Sequence, residues 1–443
     1  MLANQNQNTH LIQIGIVGSG PAGLMTALSL EHYLPAGRAS VTLLDQNDDA
    51  SDYPGVEYGI QERACRALEK IGLLEQVLIR GNPINEITFY NARLDKKFSS
   101  IHPDPHYTRA VARQEFLSDM TDLLQQTKVL RRHKVKNIVC ADDLRVSVAG
   151  DIGHNGTAFD IRFDIVVAAD GIRSVARRTF FAEHAEIHDR GFSCIYMLIE
   201  ATPDNAPAGF LDRANSGRSS LVMGDFSTMT MFPLGKGRLA LGIGFDHATK
   251  AQIWAEHGLT QDTAWPDIAP SMKKDIAVML TRDARIEDGL LVKAMELVTD
   301  WDSYKIYLWA MRDTDPLEQP FAKDANLVAI GDAAHAMLPS IGMGASLAIE
   351  DGEILAKLIS AAIADSSDAA SFRSAVQQRV FHPLAKDRYP VWDDLMGRAR
   401  KAAIWNFIDV EDRSRFAIGP QIPNKTASRI VSAIETVANA VGL

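Results

Sequence analysis

The sequence predicts an α/β fold: a parallel-sheet core interrupted by an antiparallel-sheet domain and followed by a helical C-terminal region. Three observations predict it. A strand, a glycine turn, a helix and a second strand follow one another over residues 11–45. From about 192 to 246 the texture changes to alternating strands punctuated by Gly and Pro. Then Asn326-Leu-Val-Ala-Ile330 enters another glycine turn and a long helix, so the core resumes after the interruption.

Residues 11–17 (LIQIGIV) are a short apolar run and predict a buried strand. A helix over 21–33 and a strand over 41–45 complete a βαβ unit of the usual ~30-residue size. Leu68, Ile71 and Leu74 at helical spacing predict a helix over 61–74. A further helix is expected at 114–126, and short strands at 128–132, 135–140, 144–149 and 157–162. The apolar run 164–169 predicts a buried strand that stops at Asp170-Gly171. Inside the second domain the strands fall at 221–224, 228–232 and 238–245. The remainder, 366–443, reads as mostly helical. Its last part, 425–442, gathers Ile430, Val431, Ile434, Val437, Ala438 and Val441 on one face. Few basic residues flank that face, which predicts packing on the body rather than on a membrane surface.

A chain of 443 residues has room for two or three domains. With 23% charged and 46% hydrophobic residues it has ordinary globular composition. The net charge of -10, without a basic stripe, argues against a nucleic-acid partner. Cys65, Cys140 and Cys194 are odd in number and far apart, which predicts reduced thiols and a cytoplasmic setting. The first ten residues are polar and read as a short disordered lead, not a secretory signal. No run approaches the roughly 18 apolar residues of a membrane span, so no integral membrane segment is expected. HExxH, paired CxxC, GxSxG and P-loop patterns do not occur. His102 and His106 are four apart, but Pro103 and Pro105 forbid the helix that would align them, so no metal is expected.

Gly18-Ser-Gly-Pro-Ala-Gly23 carries the most chemistry. Its first glycine permits the tight turn, its second lets backbone approach a pyrophosphate, and its third lets helix pack close to strand. The helix N-terminus then offers free N–H groups and a positive dipole end to the diphosphate. Asp45 closes the second strand 22 residues after Gly23, near the ~20-residue offset of a carboxylate that binds ribose hydroxyls. An Asp there favours a free 2′-hydroxyl, which fits NAD or FAD. The unit is Rossmann-like.

Two later segments carry a family resemblance. Ala169-Asp-Gly-Ile-Arg-Ser-Val-Ala-Arg177 resembles the ADGxxSxxR segment of class A flavoprotein monooxygenases of the para-hydroxybenzoate hydroxylase type. Gly331-Asp332-Ala-Ala-His335, continuing through Pro339, Gly342 and Gly344 to Glu350-Asp351, resembles that family's GDAAH…P…GxG…ED segment. The three motifs stand in the family's order over roughly residues 12–360. Residues 59–72 (GIQERACRALEKIG), Arg113 before a helix, and Phe232-Pro-Leu are looser matches.

The resemblance implies a Rossmann-like FAD-binding domain built from 1–74, 106–190 and 319–365. A substrate domain of 75–105 and 191–318 is inserted in it, and 366–443 forms the helical C-terminal region. FAD would be held by Gly18, Gly20, Gly23, Asp45, Arg113, Asp170, Gly171, Gly331, Asp332 and Gly344. Asp332 would accept the ribityl hydroxyls, Arg113 would contact the diphosphate, and Asp170 would organise the flavin site or the nicotinamide approach. Pro339, Gly342 and Gly344 would shape the space beside the ring, where a helix N-terminus stabilises developing negative charge. No acid–base residue is assigned, and His335 is expected to be structural. Tyr196, Met223 and Phe232 would line the substrate pocket through strand alternation.

The implied activity is that of a single-component monooxygenase. NAD(P)H reduces FAD, O2 adds at flavin C4a, and the hydroperoxide oxygen passes to a small aromatic or heteroaromatic substrate. Gly235-Lys-Gly237 and Gly342-Met-Gly344 lack a third glycine in a βαβ unit, so no dedicated nicotinamide domain is expected. Ala336, Met343 and Ala345-Ser346 depart from the family's frequent proline, glutamine and asparagine, which bears on the pocket beside the ring. Two alternatives share these residues: an FAD-dependent reductase of the same fold, and a non-catalytic flavin-fold binding protein.

Overall fold

The structure is a computed structural model that describes residues 11–48, 55–90, 97–141, 143–153, 155–223, 227–283, 289–302 and 305–406. The predicted disordered lead and the apolar face at 425–442 lie outside the described residues.

Strand Ile12–Val17 runs into a glycine turn and helix Pro21–Tyr33, as the sequence predicts to within one residue. Pro21 stands at the first helical position, where a missing N–H costs nothing. Every residue from Ala22 to Leu30 is buried. The helix can be apolar all round because it lies between the sheet and the long helix Gly344–Ala364 within one core.

The central sheet has five parallel strands in the order Leu327–Ala329, Ile165–Ala168, Ile12–Val17, Ala39–Leu44 and Lys128–Leu130. Its neighbours in space are distant in sequence. Both faces are covered, which is why these strands read as unbroken apolar runs. The strands predicted around 135–162 form their own antiparallel sheet from His133–Cys140, Val146–Ile152 and Thr157–Phe163. The single helix expected over 61–74 is two, Glu62–Lys70 and Leu74–Leu78, separated at Ile71-Gly72-Leu73.

A seven-stranded sheet forms the second layer, in the order Ile306–Asp313, His188–Glu200, Arg238–Asp246, Ser227–Gly235, Arg218–Met223, Glu86–Tyr90 and Lys97–Ile101. Its pairings are antiparallel except that of Arg218–Met223 with Glu86–Tyr90. One face is covered by helices that bury Phe210, Trp254 and Ile276. The other face meets a small sheet of Glu57–Ile60, Arg109–Ala112 and Asn82–Pro83, with Val56, Ile84, Ala110, Leu234 and Ala240 between them. The fold is therefore mixed α/β with parallel and antiparallel layers and a helical region after residue 368. Among the described residues, no helix is long and apolar enough to cross a membrane, and no group of three His, Cys, Asp or Glu could hold a metal.

Candidate active site

The glycine turn is fastened before any ligand is considered. The Gly18 N–H donates to the Leu44 carbonyl (2.8 Å), and the Ala169 N–H donates to the Val17 carbonyl (2.8 Å). Gly18 has φ +100°, and a Cβ there would lie 2.3 Å from the Ala169 oxygen. At Gly23 a Cβ would lie 1.9 Å from the Gly18 oxygen. Asp45 is buried and holds the loop through Oδ2, which accepts from the Ser19 N–H (2.6 Å) and hydroxyl (2.8 Å). Its Oδ1 accepts from the Asn47 N–H (2.8 Å).

A cavity of about 810 Å³ lies at the carboxyl ends of the parallel strands, where open α/β sheets take their ligands. Gly18, Gly20, Asp45, Arg113, Asp170, Gly171, Asp332 and Gly344 all line it. The other two predicted cofactor residues sit behind the wall. Gly23 is buried in the helix under Gly18, and Gly331 precedes the short helix Asp332–His335. Asp332 points into the cavity, and the protein mass around it raises its carboxyl pKa while His335 and Arg113 pull the other way. Arg113 begins helix Arg113–Asp122 with its guanidinium 5.1 Å from the Tyr58 ring centre.

Asp170 is held through one oxygen only. Its Oδ2 accepts from the Val175 N–H (2.7 Å), while Oδ1 is buried with no partner among the described residues. Burial raises its pKa against the hydrogen bonds from Ser174 and Val175. A buried acceptor without a donor costs free energy unless a ligand supplies one. The glycine cradle, the long cavity and this open acceptor fit a bound dinucleotide such as FAD.

A second cavity, of about 220 Å³, lies between the small sheet and the seven-stranded sheet and is mostly apolar. Tyr196 and Phe232 line it. The Met223 backbone pairs with Thr228 at the end of its strand, and its side chain lies outside the described residues. Gly59, Tyr196, Pro339 and Gly342 line both cavities, so the two meet there. Tyr196 stacks on Tyr307 with ring centres 5.4 Å apart and planes 19° apart.

Several residues have clear roles that the sequence did not assign. The Gln61 side chain donates to the Ile341 and Gly342 carbonyls (3.2 and 3.1 Å) and ties the loop after Pro339 to the small sheet. Ser346, one of the departures from the family pattern, accepts the Gln61 backbone N–H (3.0 Å). Arg177 is fully buried and donates to the carbonyls of His184, Ala333, Ala334 and Asp315. Burial brings its pKa down to about 10. It thereby joins the mid-chain motif to the end of the Asp332–His335 helix.

His335 lines neither cavity. Its Nε2 meets Asp351 Oδ2 at 2.5 Å, and its ring lies 4.6 Å from that of Trp392. Asp351 Oδ1 also accepts from Arg388 Nε (2.8 Å) and Trp392 Nε1 (3.0 Å). Burial alone would raise the Asp351 pKa, but His335, Arg388 and Trp392 hold it at about 2. This network anchors helix His382–Asn406 to the third glycine turn.

A dinucleotide-sized cradle that opens onto an apolar chamber is the arrangement of a flavin-dependent oxidoreductase, with cofactor and substrate meeting at a common wall. The profile of the FAD binding domain family matches residues 12–236 and 283–386, and the chain belongs to that family. It is 26% identical over 375 residues to salicylate hydroxylase of Pseudomonas putida, across 80% of this chain and 78% of the relative. It is 25% identical over 371 residues to the FAD-dependent monooxygenase ausM of Penicillium brasilianum, across 79% of this chain and 69% of that protein. In fold it is similar to Klebsiella pneumoniae HpxO complexed with FAD and uric acid, with TM-score 0.68 and 16% identity over 91% of each chain. The resemblance to class A flavoprotein monooxygenases stands, and the protein is an FAD-dependent monooxygenase.

Proposed function

We propose that the protein hydroxylates a small aromatic or heteroaromatic compound as a single component, using NAD(P)H and O2. The observation that carries this reading is the common wall of Gly59, Tyr196, Pro339 and Gly342 between a polar, dinucleotide-sized cavity and an apolar one. Bound FAD would supply reduction by the nicotinamide and activation of O2. The chain's own part is positioning. The Gly18 turn and the N-terminus of helix Pro21–Tyr33 hold the diphosphate, with Arg113 as counter-charge. Asp45 takes the ribose, and Asp332 takes the ribityl hydroxyls. The N-terminus of helix Gly344–Ala364, with Pro339 and Gly342, lines the cavity and would offer its positive end to the bound flavin. Tyr196 and Phe232 line the substrate chamber, whose apolar wall excludes water.

The division into FAD-binding segments 1–74, 106–190 and 319–365 and substrate segments 75–105 and 191–318 belongs to the same reading. The free thiols of Cys65, Cys140 and Cys194 support a cytoplasmic setting.

The test is reduction of the purified holoprotein by NADH or NADPH without oxygen, followed spectroscopically with a panel of phenols, quinolines and indoles, then exposure to ¹⁸O2. Hydroxylation requires ligand-accelerated bleaching of the flavin and one labelled oxygen in the product. Bleaching and reoxidation with no labelled product would replace it with the reductase reading. A protein that takes up no flavin would overturn the cradle. Asp332→Ala should weaken FAD about 10- to 100-fold, the loss of one charge-assisted hydrogen-bond site. Flavin fluorescence during reconstitution of the apoprotein measures it.

A further inference from the structure

Among the described residues, the apolar chamber is lined by one carboxylate. Glu57 begins strand Glu57–Ile60, opposite Ala112, and Gly59 stands opposite Ala110. Opposed residues share a face and neighbours along a strand alternate. Glu57 therefore looks with Ala110 toward the seven-stranded sheet, while Tyr58 and Ile60 face the other core. Among the described residues lining this chamber Glu57 is the only acid, and its Oε2 is buried with no partner. Arg109 is the only base among those described lining residues. Its side chain lies on the face of Val111, toward Cys65, so it turns away from the chamber.

We propose that Glu57 sets the substrate class: the chamber takes an uncharged arene bearing an O–H or N–H donor and rejects arylcarboxylates. The proposal rests on the reading of this chamber as the substrate site. A neutral donor satisfies Oε2 with a charge-assisted hydrogen bond and adds no charge to a low-dielectric space. An arylcarboxylate brings a second negative charge that no cation in the chamber offsets, since Arg109 turns away and Arg113 lines the other cavity, and two carboxylates sharing such a site cannot both be ionised.

The surrounding groups leave Glu57 as the one that titrates near neutrality. Arg113 faces it from helix Arg113–Asp122, Cys194 and Tyr196 from strand His188–Glu200, and Tyr307 from strand Ile306–Asp313. Burial pushes the Cys194 thiol and the Tyr196 and Tyr307 phenols up, so all three stay neutral. Burial raises Glu57 to about 7, with its own backbone N–H and then Arg113 pulling it down. An arylcarboxylate should bind only to the protonated form, so its affinity falls tenfold per pH unit above about 7.

The matched probes 2-naphthol and 2-naphthoate test this, titrated into the oxidised holoprotein from pH 6 to 8.5 and read by the flavin absorbance perturbation. At pH 8 naphthol should bind at least about tenfold tighter, with the naphthoate slope above. In Glu57→Gln the slope should vanish and the two ligands should bind within about threefold. Naphthoate matching naphthol at pH 8, binding of neither probe, or an unchanged slope in Glu57→Gln would overturn the proposal. Glu57→Asp should restore the slope. Melting checks the variant's fold. A raised carboxyl pKa costs the native state stability as pH rises from the ordinary carboxylate range to about 7, so the melting temperature of Glu57→Gln relative to wild type should rise between pH 4 and pH 8. Binding is read without nicotinamide or oxygen transfer, so failure of the hydroxylation assay and failure of this proposal are separate results.

Discussion

Replacing Gly18 with alanine should yield a protein that retains no FAD. Two penalties act together. The residue has φ +100°, where an L side chain costs on the order of 1–3 kcal/mol. The added Cβ would also sit 2.3 Å from the Ala169 oxygen. That oxygen cannot give way cheaply, because its strand is paired on both sides in the parallel sheet and the Ala169 N–H is bonded to Val17. The strand end must open, and the diphosphate end of the cavity opens with it. A fall of at least about 100-fold in FAD affinity is expected, equal to roughly 3 kcal/mol. Flavin content per chain measures it. Gly37→Ala is the control: φ is +69° but nothing lies within 4 Å of the added Cβ. It should cost some stability and leave FAD bound.

Arg177→Met should destabilise the fold by about 2–4 kcal/mol, since it removes the donor from the buried carbonyls of Ala333 and Ala334 and from the part-buried carbonyls of His184 and Asp315. Against a total of roughly 5–15 kcal/mol for a folded domain this is a large share. Arg177→Lys should rescue little, because one ammonium cannot reach acceptors spread around a planar fork. Thermal melting of the holoprotein at fixed FAD concentration measures both. A wild-type melting temperature in Arg177→Met would mean that water replaces the guanidinium and that the side chain does not hold the two motifs together.

What the sequence made legible was local. The turn at Gly18, helix Pro21–Tyr33 and the strand Ile165–Ala168 could be read because each depends on residues a few positions away. That Gly18, Gly20, Asp45, Asp170 and Asp332 meet at one cavity was legible for the same reason, since backbone geometry demands glycine or a short acid at fixed offsets. Glu57 was not legible. Its chemistry comes from Cys194, Tyr196 and Tyr307, which the sheet topology brings to it from more than a hundred residues away. Arg177 was visible as part of a motif, but its acceptors lie on segments from His184 to Ala334. Tyr196 and Phe232 could be proposed from alternation, yet alternation alone leaves open which face of a sheet meets the cofactor.

The order of strands in the central sheet also governs when this protein can become an enzyme. Of the five strands, Ile12–Val17 comes earliest in the sequence, yet one of its two neighbours, Ile165–Ala168, is made much later, and that strand's other neighbour, Leu327–Ala329, later still. The cavity wall ends at Ala348. On the ribosome, the glycine turn emerges early; its strand can pair at once with Ala39–Leu44 on one side, but its other edge waits for Ile165–Ala168. Cofactor capture is thus expected to come late in biogenesis, once the last of these strands is in place. A stalled chain ending before residue 327 should accordingly fail to capture flavin, however much of its local structure has formed.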